Sequence, residues 1–252
     1  MSQKLRLFHS SSLVFLRLAV DWPVTACCFV LLLRASVADQ RTANVALQRA
    51  TNAFNQGRLE EAEKQLDAAE RADSKKPEVP NLRGVIFTTQ KRYDEAAQQF
   101  NEALALDPKF YPAKLNLAEV RLLEGQYADA AQEYQALKEA DPASETLDFK
   151  LVLCALLDGK PGKASGIVDL MMFPGKTPAY YYARAAIALQ RGDKPRAQKY
   201  FENVKKYYSE EQCRYFAQSL KEVDLSLPTP SRPEKTPDPH SGDLQSSETG
   251  SE

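Results

Sequence analysis

The 252-residue sequence predicts an all-α solenoid, in which antiparallel helix pairs follow one another along the chain. Three observations lead there. The chain matches itself when shifted by about 34 residues. Its central region is rich in Ala, Leu, Gln, Glu and Lys, which favour helix, and the whole chain has only 10 Gly. Small and aromatic residues also recur at fixed places in each period, as helices packed in pairs require.

Residues 1–38 read as a secretion signal. Lys4, Arg6 and Arg17 form a basic start, Pro23 to Leu33 a short apolar run, and Ala35-Ser36-Val37-Ala38 a small-residue site with cleavage expected after Ala38. Roughly eleven apolar residues fall short of a ~30 Å hydrocarbon core. An uncleaved membrane anchor over Leu13 to Leu33 is the alternative, against which Arg17 and Asp21 count. Lipid attachment at Cys27 fits poorly, because the apolar run follows that cysteine instead of preceding it. The leader carries four basic residues against Asp21, a net of +3, so with a total of −1 the remainder is −4.

From residue 43 the repeat takes over. Leu59, Tyr93 and Tyr127 align, as do Ala62, Ala96 and Ala130, then Leu66, Phe100 and Tyr134, then Asp73, Asp107 and Asp141. Alanines at 62, 96 and 130 suit the close approach of two antiparallel helices. Gly57 and Gly125 suit a left-handed cap at the end of a first helix. Pro108 and Pro142 end second helices, since the residue before Pro avoids helical geometry. Beyond 142 the register loosens. Glu145 to Asp158 reads as a helix ending at Gly159. Ala164 and Val168 keep the pattern despite Pro161 and Gly162, and Pro174-Gly175 stops the fourth pair early. A fifth repeat follows after a one-residue slip, with Tyr180, Tyr181 and Tyr182 in its first helix and Gly192, Ala197 and Phe201 matching Gly159, Ala164 and Val168. Ser209 to Val223 forms a final amphipathic helix with Cys213, Phe216, Ala217 and Leu220 on one face, as a cap for the array. Residues 226–252 are Pro-, Ser- and charge-rich without apolar periodicity, the composition of a disordered tail.

In order, Gly84, Phe87, Tyr93, Ala96, Phe100, Ala103 and Pro108 resemble the signature of the tetratricopeptide repeat. The resemblance covers residues 43–208, as three good repeats and two degenerate ones. Lys91 stands where the family usually has Gly, and Pro161 where it has an aromatic. The resemblance implies a right-handed superhelical solenoid of about five repeats plus a capping helix over 43–223. Its inner surface would be lined by the first helix of each repeat. It also implies a protein–protein scaffold or adaptor that binds a partner polypeptide. One inner row is Leu47, Asn81, Leu115, Phe149 and Tyr182; a second is Thr51, Val85, Glu119, Leu153 and Ala186; a third is Phe54, Thr88, Leu122, Leu156 and Leu189. They grow more apolar toward the C-terminal half, so Leu115, Glu119, Leu122, Phe149, Leu153, Leu156 and Tyr182 are the candidate partner-binding residues, unless they pack against neighbouring helices. The Lys and Asn set with which related repeats grip a chaperone's C-terminal carboxylate is missing. Leu47, Thr51, Asn81 and Val85 occupy those positions, and Asn116 alone fits.

Chemistry finds little footing. The two histidines, His9 and His240, lie in the leader and the tail, which leaves the repeats without an imidazole for a triad, a general base or a usual zinc site. Cys154 and Cys213 read as buried structural thiols, with a disulfide between them as the alternative in an oxidising compartment. Acidic residues such as Glu60, Glu61, Asp94 and Glu95 start second helices, where they suit the dipole. Neither catalytic residues nor metal or cofactor sites are expected, and no basic stripe suggests nucleic acid. The expectation is a non-catalytic adaptor in a periplasm or cell envelope, secreted or membrane-anchored. A self-associating structural element is the alternative.

Overall fold

The computed structural model describes residues 22–225, and side-chain surroundings from residue 39 on. The first 21 residues, with the basic start of the leader, and the tail 226–252 lie outside the described residues. Eleven α-helices and no strand occur among them. They fall into two compact lobes that divide between Met171 and Met172. The N-terminal lobe holds α1 (Trp22–Asn55), α2 (Leu59–Ala72), α3 (Glu78–Thr89), α4 (Tyr93–Leu106), α5 (Tyr111–Leu123), α6 (Tyr127–Ala140), α7 (Glu145–Leu157) and α8 (Pro161–Leu170). The C-terminal lobe holds α9 (Ala179–Gln190), α10 (Lys194–Val204) and α11 (Glu210–Glu222). In α1 the backbone is helical without a break across Ala38, the expected cleavage point. Among the described residues no helix is long and apolar enough to cross a membrane.

Each odd helix packs on the even helix that follows, and α11 packs on α9. The turn inside each pair is the same structure five times. Gly57, Gly125, Gly159 and Gly192 take φ of 72°, 82°, 69° and 73°, and Lys91 takes 60° at the equivalent place. The following N–H reaches back to a carbonyl five residues earlier at 2.8–2.9 Å: Arg58 to Ala53, Arg92 to Phe87, Gln126 to Arg121, Lys160 to Ala155 and Asp193 to Ala188. This is the Schellman closure, which satisfies orphan carbonyls and reverses the chain at once. Second helices α2, α4 and α6 begin 34 residues apart, and each ends on Asp73, Asp107 or Asp141 with that aspartate's N–H on the carbonyl of Ala69, Ala103 or Leu137.

Packing inside a pair depends on small residues. Ala62, Ala96, Ala130, Ala164 and Ala197 are all fully buried. Where a second helix brings a large ring, its partner shrinks. A Cβ placed on Gly84 would sit 2.6 Å from the Phe100 ring, closer than real contacts allow. At the same register three of the other pairs combine Ala50 with Leu66, Ala118 with Tyr134, and Val152 with Val168, all buried. Constant summed volume across a close-packed seam accounts for this exchange.

The weak fourth pair folds regularly. Pro161 occupies the first position of α8, where a missing N–H costs nothing, but α8 is only 10 residues long and stops at Leu170. In α11 the Ser209 side chain and Gln212 form a capping box. Its buried face is Cys213, Phe216, Ser219 and Leu220, whereas Ala217, expected on that face, is exposed.

Candidate functional site

In the N-terminal lobe the first helices line up side by side. α1 meets α3 and α3 meets α5, and the amide of Asn116 on α5 donates to Asn81 Oδ1 on α3 at 3.0 Å. α7 joins the row through a buried ion pair: Lys150, fully buried, places Nζ 2.7 Å from Glu119 Oε1. The hydroxyl of Tyr134 on α6, also fully buried, donates to Glu119 Oε2 at 2.6 Å. Glu119 therefore ties three helices together with both of its oxygens. Such a charge in a packed interior is held only while its partner stays in place.

The expected partner-binding residues divide sharply by exposure. Leu115 and Glu119 are half-buried, with Leu115 on the surface shared with Leu47, Asn81, Val85 and Asn116. Leu122, Phe149, Leu153 and Leu156 are at most 1% exposed, so they act as core in this structure, and charged substitutions there read first as loss of folding. The cause lies in α7, where every residue from Phe149 to Leu156 is buried; its apolar run reflects burial all round. Tyr182 belongs to the C-terminal lobe. It is 6% exposed, with its ring 5.5 Å from Phe201 and 5.7 Å from Phe216, beside a cavity of ≈ 700 Å³ that Lys205, Cys213 and Arg214 also line.

What remains open on the row is mixed in character: Leu47, Thr51, Asn81, Val85, Leu115 and Asn116, all exposed or half-buried. The Asn81–Asn116 bond uses one donor and one acceptor, which leaves Asn116 Oδ1 and the Asn81 amide for a main chain laid across them. Neither this pair nor the Glu119–Lys150–Tyr134 tie was evident from the three aligned rows. Asn116 and Lys150 share the neighbouring row with Gln48 and Leu82. A polar residue recurring there between apolar neighbours was the available signal.

The thiols are poor nucleophiles. Cys154 and Cys213 are both free and buried. Burial pushes the Cys154 thiol up to about 12, and the Glu119 carboxylate adds to the effect. Burial likewise raises Cys213. Burial without a nearby activating charge makes a thiol a weaker nucleophile. No group of three or more potential metal ligands occurs among the described residues.

Helix pairs closed by repeated Schellman turns and packed through alanines define a repeat scaffold of the helix-turn-helix class. Residues 47–109 and 87–152 each match a tetratricopeptide-repeat family, so residues 47–152 are built of tetratricopeptide repeats. Solved structures share the fold. A tetratricopeptide repeat protein from Parabacteroides merdae is 21% identical, with 72% of this chain and 71% of that one covered at a TM-score of 0.57. A thermophilic TPR protein of Thermus thermophilus is 16% identical, with coverage of 71% and 99% and a TM-score of 0.56. MamA from Desulfovibrio magneticus is 23% identical, with coverage of 66% and 94% and a TM-score of 0.51. No curated protein sequence matches the chain.

Proposed function

We propose that this protein is a non-catalytic adaptor that binds an extended segment of a partner polypeptide along the first-helix row of α1, α3 and α5. The observation that carries the reading is the half-open strip from Leu47 through Asn81 and Asn116 to Leu115, apolar at its ends and amide-bearing in the middle. Asn amides there can bond a main chain regardless of its sequence, while Leu47, Val85 and Leu115 take apolar side chains. The tetratricopeptide-repeat fold is the fold of protein–protein scaffolds, which supports the same reading at the level of class. The basic-then-apolar leader before Ala38 supports an exported compartment, periplasm or cell envelope.

Photo-crosslinking tests this directly. A photoreactive residue at Leu115 or Asn81 should capture a discrete polypeptide in the native cell envelope, and one at exposed Ala136 on α6 should not. Equal capture at all three positions, or capture of further copies of this chain alone, would discard the adaptor reading.

A further inference from the structure

The C-terminal lobe carries a feature that peptide binding on the N-terminal lobe does not use. Its described residues hold ten Lys and Arg against six Asp and Glu, a net of +4, whereas residues 39–171 hold 17 against 22, a net of −5. On this cationic lobe the segment leading into α9 displays Met172 at 67% and Phe173 at 62% exposure, and Tyr207 after α10 is 54% exposed. Phe173 and Tyr207 belong to one aromatic cluster beside Met172 in the chain. The Phe173 ring lies 5.4 Å from Tyr180 and 6.5 Å from Tyr207, and Tyr207 stacks on Tyr181 at 5.8 Å. The Tyr208 hydroxyl sits 2.9 Å from the Pro174 carbonyl and 3.0 Å from that of Gly175, so it fastens the two segments together. Residues 172–178 and 203–209 contain Lys176, Lys205 and Lys206, all exposed, and no carboxylate.

We propose that this cluster is an attachment site for an anionic lipid surface, with Met172, Phe173 and Tyr207 entering the headgroup–acyl boundary and Lys205 and Lys206 meeting lipid phosphates. Side chains that stand mostly in solvent, backed by a rigid aromatic base, suit a fluid medium that closes around each of them. A folded protein partner instead favours anchors that fit into pockets. Tyrosine, with an apolar body and a polar tip, partitions to that boundary, and each nearby lysine adds about fivefold in affinity for an acidic bilayer. The charge contrast between the lobes gives such a surface a reason to select the C-terminal lobe. This inference stands independently of the first-helix row.

Hydrogen exchange on the full chain tests it, with vesicles of phosphatidylglycerol mixed into phosphatidylcholine against vesicles of phosphatidylcholine alone. The readout is local, so any binding by the leader does not mask it. Exchange over residues 171–178 and 205–208 should slow several-fold with the acidic vesicles only, while α3 to α6 stay unchanged. Phe173→Ser should weaken that protection about tenfold, and Lys205→Glu with Lys206→Glu should abolish it. Lys64→Glu, on the exposed side of α2, should leave it intact. No slowing with acidic vesicles, equal slowing with neutral ones, or equal sensitivity to Lys64→Glu each overturns the proposal. So does slow exchange at these segments without lipid that is relieved by deleting residues 226–252, because the acidic tail would then be the occupant.

Discussion

The two lobes reach stability by different routes. The N-terminal lobe repeats one solution at a 34-residue spacing: a left-handed closure, a buried alanine, and a seam in which large and small side chains trade volume. It adds polar ties between first helices, Asn81 to Asn116 and Glu119 to Lys150. The C-terminal lobe keeps the closure at Gly192 and the alanine at 197, but holds its last helix through aromatic rings, with Tyr182 between Phe201 and Phe216. The family match ends at 152, well before that lobe. Strict register therefore marks where one helix pair must dock on the next, and it relaxes where the array is closed by a different helix.

The polar tie is the sharpest place to break this contrast. Glu119→Ala removes the counter-charge of a fully buried ammonium and the acceptor of the Tyr134 hydroxyl. The expected loss is about 3–5 kcal/mol, read by denaturant unfolding. Adding Lys150→Met should recover most of it, because an apolar side chain of similar length suits the site once the charge is gone. If the single change costs under about 1 kcal/mol, α7 is held by its apolar packing alone, and the lobes are stabilised in more similar ways.

The volume exchange makes a second, smaller prediction. Gly84→Ala drives a methyl group into the Phe100 ring and should cost about 1–3 kcal/mol. Phe100→Leu in the same chain recreates the Ala50–Leu66 combination of the first pair, so the double variant should be more stable than the Gly84→Ala single. Independent, additive effects of the two changes would mean that the seam does not trade volume.

Fold and site were unequally legible in the sequence. Periodicity located the helix pairs, because Ala62, Ala96 and Ala130 must be small for a mechanical reason that leaves a visible repeat. The site was harder. Apolar residues at Leu122, Phe149, Leu153 and Leu156 look alike whether they line a groove or a core, and burial on every side of α7 is a tertiary fact that no single row reveals. Ser219 shows the converse. It was not among the residues expected on the buried face of α11, yet it is 3% exposed, while Ala217 beside the cavity is open.

The smallest effect tests the register itself. Lys91 takes φ of 60° where four of the five closures have glycine, and its N–H still bonds the Thr88 carbonyl at 3.0 Å. An L side chain in that region meets its own backbone, and glycine does not. Lys91→Gly should therefore stabilise the N-terminal lobe, by about 0.5–1 kcal/mol after the extra freedom glycine brings to the unfolded chain. The side chain is exposed, and among the described residues no hydrogen bond or ion pair of its own offsets the gain. A shift in unfolding midpoint toward higher denaturant, with an unchanged slope, is the expected reading. A shift the other way would mean that Lys91 contributes something in place of glycine, and that the second pair departs from its neighbours for a reason other than drift.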